Sequence, residues 1–184
     1  MRVIAGRVKG ARLEAKAPGV RPTSARVRSA LFSALGPERL EGARVLDLYA
    51  GAGTMGIEAL SRGAAFARFV ERDRRQCAAI RKTLRAAELQ DQAAVSCATV
   101  MKYLQATDET FDLAIADPPY AATETDEALG AIASGGIVRT GGRIVLEHAA
   151  RAAAPEPEGL ELLANRRYGD TALAFYEPRE AAGV

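Results

Sequence analysis

The stretch that decides the fold is Arg44-Val45-Leu46-Asp47-Leu48-Tyr49-Ala50-Gly51-Ala52-Gly53-Thr54-Met55-Gly56. It opens as a short apolar run, passes through glycines at G-x-G-x-x-G spacing, and continues through Ile57 and Leu60 at helical spacing until Gly63. Strand, tight turn and helix in that order form the first unit of a mostly parallel, doubly wound α/β sheet. The pattern then repeats: a strand from Phe66 to Glu71, then a helix that Asp73 caps and that buries Cys77, Ile80 and Leu84. A third strand spans Ala93 to Cys97, a short helix Met101 to Leu104, and a fourth strand Phe111 to Ala116. The fifth unit has a helix through Leu129 and Ile132 and a strand from Arg143 to Glu147.

Beyond that point the rhythm changes. Leu160 to Tyr168 and Thr171 to Tyr176 are separated only by Gly169-Asp170, too few residues for a crossover helix, so the sheet ends in an antiparallel hairpin. Ahead of the first strand, Thr23 reads as the cap of a helix whose buried face carries Val27, Leu31 and Leu35, with Arg26 and Arg28 pointing elsewhere. Residues 1–20 alternate weakly, as a small ribbon would. The expected organisation is one compact unit: a basic extension over 1–36 and a main α/β domain over 37–184.

Composition narrows the function. With 184 residues, 48% of them hydrophobic, the chain is long enough for a proper core. No run approaches the roughly 18 apolar residues that span a bilayer, and no signal peptide is legible, which points to the cytoplasm. One histidine and two separated cysteines, read as buried thiols, provide no metal-ligand spacing. The net charge of +2 conceals an asymmetry, since residues 1–30 hold eight Lys/Arg against Glu14 alone. A positive field at one end suits a polyanionic partner.

The glycine turn is shared by dinucleotide-binding proteins and does not by itself choose a ligand. Its neighbours do. Asp47 puts a carboxylate where a dinucleotide carries its pyrophosphate, and anion against anion is unfavourable. S-Adenosylmethionine has no phosphate and carries an ammonium and a sulfonium, for which a carboxylate is attractive. Glu71, twenty residues after Gly51, offers two acceptor oxygens to a ribose.

At the end of the fourth strand stands Asp117-Pro118-Pro119-Tyr120. Two prolines stiffen the turn and remove two amide donors, leaving carbonyls as acceptors. An exocyclic amine on a nucleic-acid base is a poor nucleophile, its lone pair delocalised into the ring. The Asp117 carboxylate and the Pro118 carbonyl can accept its N–H bonds, and Tyr120 can stack on the base. Such a base must be unpaired or extruded. His148, just past the fifth strand, is the alternative base, with a structural role the simpler reading.

Assembled, these residues resemble the bacterial small-subunit ribosomal RNA guanine-N2 methyltransferases over nearly the whole chain. The resemblance is carried by Arg21-Pro22-Thr23, Arg26-Val27-Arg28, Leu31-Phe32, Asp47 to Gly53, Gly56 to Gly63, Asp117 to Tyr120 and Tyr168-Gly169-Asp170-Thr171. It implies a Rossmann-like methyltransferase fold that binds S-adenosylmethionine and modifies guanine N2 in ribosomal RNA, within an assembling small subunit and with no obligate protein partner. The cofactor set is then Asp47, Tyr49, Ala50, Gly51, Gly53, Thr54, Glu71, Arg72 and Thr99. Thr99 stands where the family usually has an acidic or amide residue facing the adenine. Asp117, Pro118, Pro119 and Tyr120 form the catalytic set, and Arg7, Lys9, Arg21, Thr23, Arg26 and Arg28 the RNA set. Competing readings are a DNA adenine-N6 methyltransferase, disfavoured because no separate target-recognition domain is visible, a nicotinamide-dependent oxidoreductase, disfavoured by Asp47, and a catalytically idle RNA-binding scaffold.

Overall fold

A computed structural model describes residues 1–13, 24–118 and 122–179. The elements are α1 (Ala25–Leu35), β1 (Arg44–Leu48), α2 (Thr54–Ser61), β2 (Phe66–Glu71), α3 (Arg74–Ala86), β3 (Ala93–Cys97), α4 (Val100–Ala106), β4 (Phe111–Ala116), α5 (Ala122–Ser134), β5 (Val138–Ala149), β6 (Leu160–Tyr168) and β7 (Thr171–Pro178). Seven strands form one sheet in the order β3-β2-β1-β4-β5-β7-β6. The first five are mutually parallel, and β7 runs antiparallel between β5 and β6. The doubly wound architecture with its terminal hairpin is the one the sequence pattern implies.

Each face of the sheet is covered because its residues alternate. Val45, Leu113, Ile115, Val145, Leu173 and Phe175 face one apolar layer with Ile57 and Leu60 of α2, Ile80 of α3, and Leu31 and Phe32 of α1. Leu46, Leu48, Ala114, Ile144, Leu146 and Tyr176 face the other with α4 and α5. Strand order reverses between β1 and β4, so a crevice opens there at the carboxyl ends of the strands.

Four local readings are corrected. α1 is capped by Ser24, whose hydroxyl accepts from the Val27 amide at 3.1 Å; Thr23 lies outside the described residues. Arg28 is on the buried face of α1, 1% exposed. β5 begins at Val138, five residues earlier than Gly141-Gly142 suggests, since pairing with Phe111 resumes across a register shift. Cys77 is buried but Cys97 is exposed.

The first thirteen residues form a turn closed by a bridge between Arg2 and Arg12, the remnant of the expected ribbon. The turn is tied down by α2. The Glu58 carboxylate, fully buried, accepts from the amides of Ile4 at 2.8 Å and Ala5 at 3.0 Å and from Arg62 at 2.8 Å, with Arg28 3.7 Å away. Gly6 lies so close to α2 that a β-carbon there would sit 1.8 Å from the Ser61 carbonyl oxygen. Val3 and Leu13 join the core shared with α1 and α2.

Candidate active site

The geometry of the crevice follows from the strand register. Ser96, Val70, Leu48, Ala116 and Leu146 pair in one row across β3, β2, β1, β4 and β5. The next residues are therefore Cys97, Glu71, Tyr49, Asp117 and Glu147, and they make the carboxyl edge. At about 4.8 Å per strand, the Glu71 and Asp117 backbones are about 10 Å apart, with the glycine turn between them.

The turn is built from left-handed residues. Tyr49 has φ 57°, an unusual conformation for a bulky side chain and a mark of a constrained site. Gly51 and Gly53 follow with φ 55° and 72°. Above Gly51 the only neighbour an added β-carbon would meet among the described residues is the Tyr49 carbonyl oxygen at 3.8 Å, so the surface over this glycine is open. Gly53 differs from expectation. Its missing side chain faces Ile80 at 3.1 Å and Phe69 at 3.3 Å, so a side chain there would press into the core beneath the turn, not into ligand space. At Gly56 a β-carbon would be 2.3 Å from the Phe69 ring, which lets α2 lie flat on β2.

Two carboxylates support the turn. Glu71 accepts from the Gly51 amide and the Asp73 amide, each at 2.8 Å through a different oxygen, so the carboxylate is oriented and each oxygen keeps a lone pair for a hydroxyl. Asp47 is 3% exposed and accepts from the Gly56 amide in the first turn of α2 at 2.8 Å. Burial pushes its carboxyl up to about 8; the Gly56 hydrogen bond opposes this, and the charges of Asp117 and Glu71 add to it. Asp47 thus has a structural role the sequence did not disclose. It is also a buried acid that a nearby cation would ionise. The Tyr49 hydroxyl is buried with no hydrogen-bond partner among the described residues, and burial raises it to about 12.

The remaining sequence-assigned residues separate into those at the crevice and those outside it. Ala50 and Thr54 are buried within the turn, and Arg72 is exposed beside Glu71. Thr99 is exposed and caps α4, accepting from the Lys102 amide at 3.3 Å; the Ala98 amide meanwhile donates to the Glu71 carbonyl at 3.0 Å. Asp117 and Pro118 are half-buried at the edge, while Pro119 and Tyr120 lie outside the described residues. Arg7, Lys9 and Arg26 are exposed, as a polyanion contact requires, and Arg21 lies outside the described residues. Arg28 is removed from that set: its guanidinium donates to the Arg2 carbonyl at 2.8 Å and holds the amino-terminal turn from inside. His148 contacts the Ala149 carbonyl and the Asn165 side-chain oxygen, each at 3.1 Å, a structural engagement of both ring nitrogens. A cavity of about 230 Å³ lined by Glu38, Arg39, Asp112 and Arg143 lies at the opposite, amino-terminal edge of the sheet, far from this chemistry.

Comparison with known proteins agrees with this geometry. The family described as conserved hypothetical protein 95 matches residues 1–177. Ribosomal RNA small subunit methyltransferase D of Escherichia coli K12 is 31% identical over 185 residues, covering 100% of this chain and 92% of its own. Its namesake in Haemophilus influenzae is 28% identical, covering 96% and 93%. A solved structure of a hypothetical protein from Thermus thermophilus superposes with TM-score 0.82 at 32% identity, covering 96% of this chain and 99% of that one. A glycine turn flanked by acids, an Asp-Pro turn on the neighbouring strand and full-length kinship lead to one conclusion: the chain belongs to the conserved hypothetical protein 95 family, alongside the ribosomal RNA small subunit methyltransferase D proteins, and it is a methyltransferase.

Proposed function

We propose that this protein transfers a methyl group from S-adenosylmethionine to the exocyclic N2 of a guanine in small-subunit ribosomal RNA, on an assembling particle. The observation that carries the reading is the placement of Asp117 and Pro118 just past the carboxyl end of β4, beside the acid-flanked glycine turn that follows β1, across the switch point of the sheet. The residues present fit the cofactor. Each Glu71 oxygen accepts one amide and keeps a lone pair for a ribose hydroxyl, the space above Gly51 is open among the described residues, and Asp47 is an acid whose ionisation a cation would favour. S-Adenosylmethionine supplies an activated methyl group on a positively charged sulfur.

The chain's own part is to bind, orient and accept. Asp117 and the Pro118 carbonyl receive the N–H bonds of the target amine, drawing its lone pair out of conjugation and aiming it at the cofactor pocket. Tyr120 stacks on the base. Residues 1–36 act as an RNA-contacting extension, with Arg7, Lys9 and Arg26 outward and Arg28 locking the segment to the core. The relatives act on RNA by name, and the described residues include no additional target-recognition domain, which favours RNA over DNA adenine. The test is mass-spectrometric mapping of small-subunit ribosomal RNA after incubation with the protein and labelled cofactor. One N2-methylguanine is expected; label on adenine, or none on any RNA or particle, overturns the assignment.

A further inference from the structure

β6 is the free edge of the sheet, and its charges are sorted along its length. Glu161 lies at its amino end, whereas Arg166 and Arg167 lie at its other end, about 17 Å further along at about 3.3 Å per residue. β6 is antiparallel to β7, and β7 to β5, so the arginine end lies at the carboxyl edge where the active site opens. The register places it. Arg166 pairs with Leu173 and Leu173 with Glu147, one residue past the row of Ala116, which puts Arg166 level with Asp117 and three strand spacings away, about 14 Å.

Two of the three nearby guanidinium groups, those of Arg166 and Arg167, are held by contacts that do not neutralise them. Arg166 lies 5.6 Å from the centre of the Phe175 ring, which fixes it on the face carrying α1, α2 and the amino-terminal turn. Arg167, on the opposite face of β6 from Arg166, donates through Nε to the Gly169 carbonyl at 2.9 Å, so the two arginines flank the free edge. Arg151 follows Ala150, whose amide donates to the Asp170 carbonyl at 2.9 Å, so the loop after β5 meets the hairpin turn. All three arginines are exposed, and among the described residues none makes an ion pair, although Asp170 and Glu147 are in the vicinity.

We propose that Arg151, Arg166 and Arg167 form a second cationic grip, holding phosphates of the RNA strand that flanks the target nucleotide, across the catalytic turn from the extension. This rests on the RNA-methyltransferase reading and adds where the strand leaves the site. Arginine suits this contact, since its planar fork matches phosphate oxygens.

The test uses the full chain with Arg151→Glu, Arg166→Glu and Arg167→Glu combined, alongside an all-lysine triple. Binding of a short single-stranded oligoribonucleotide is measured against salt, with S-adenosylhomocysteine affinity and thermal melting as controls. At roughly 0.7 per phosphate contact, the logarithmic salt slope of the glutamate triple should flatten by about 2, with ligand affinity unchanged and the lysine triple close to wild type. If the glutamate triple melts below the assay temperature, Arg166→Gln with Arg167→Gln should flatten the slope by about 1.4 on the same scale. An unchanged slope in a folded variant overturns the grip while methylation by the wild type still upholds the substrate assignment. A flattened slope with a wild type that methylates no ribosomal RNA upholds the grip and overturns the substrate. Slope unchanged but binding of an acidic ribosomal protein lost assigns the patch to protein and overturns the proposal.

Discussion

Asp47 shows how one residue links the sheet to the ligand. Its folded-state carboxyl titrates near 8, against about 3.9 for an unfolded aspartate, so between those values the folded protein holds more protons than the unfolded chain. Ligand-free stability must therefore fall as pH rises through that window. Asp47→Asn should flatten the pH dependence of the melting temperature between about pH 5 and pH 8; an unaltered profile would show that Asp47 is ionised without help. S-Adenosylmethionine affinity should rise over the same interval, with proton release visible as a buffer-dependent binding enthalpy. Asp117 separates chemistry from binding. Asp117→Ala should fold, bind cofactor normally, and lose roughly 10²-fold in single-turnover rate, about 2.7 kcal/mol at 1.36 per decade. A folded variant at wild-type rate would move the search to another group. These acids were legible because Asp47 and Asp117 sit at fixed positions beside glycines and prolines. The Gly56 hydrogen bond and the core-facing side of Gly53 were not, since both depend on how α2 packs on Phe69.

Among the elements, strand positions followed from apolar runs bounded by turn residues, and β2, β3 and β4 have the bounds those runs imply. Where glycines interrupt a strand, local sequence misleads: the paired length of β5 is set by its neighbour β4. The amino-terminal helix shows the same limit. Hydrophobic spacing located Val27 and Leu31 correctly, but Arg28 is an arginine on a buried face, intelligible only once Glu58 from α2 is beside it. Glu58→Ala would leave the Ile4 and Ala5 amides without their acceptor and the Arg28 guanidinium without its counter-charge, and breaking a buried charge pair this way costs about 3–5 kcal/mol. A fall in thermal stability is expected, and a near-neutral result would mean water replaces the carboxylate. Gly56→Ala should cost about 1–3 kcal/mol by overpacking against Phe69, whereas Gly51→Ala should fold and lose cofactor affinity. Calorimetry with S-adenosylhomocysteine distinguishes the two.

At the scale of the whole molecule, charge is divided between two surfaces. Acids line the crevice for a cationic ligand, and arginines and lysine stand out along the amino-terminal turn and α1. Reversing Arg7, Lys9 and Arg26 together should weaken RNA binding and lower the salt slope by about 2, at roughly 0.7 per contact, while leaving S-adenosylhomocysteine binding intact. An unchanged slope would mean these residues face away from the RNA. The docking of residues 1–13 on α2 has a further consequence. The amides of Ile4 and Ala5 bond a side chain more than fifty positions downstream, so as the chain leaves the ribosome its first residues must wait until α2 has emerged and packed. In the finished protein the same contacts define a separable cooperative unit, because undocking the turn returns Glu58 to water without disturbing the strand ladder. Hydrogen exchange at Ile4, Ala5 and Arg7 should proceed at one shared rate, faster than in β1 and β4 and slowed together when RNA binds.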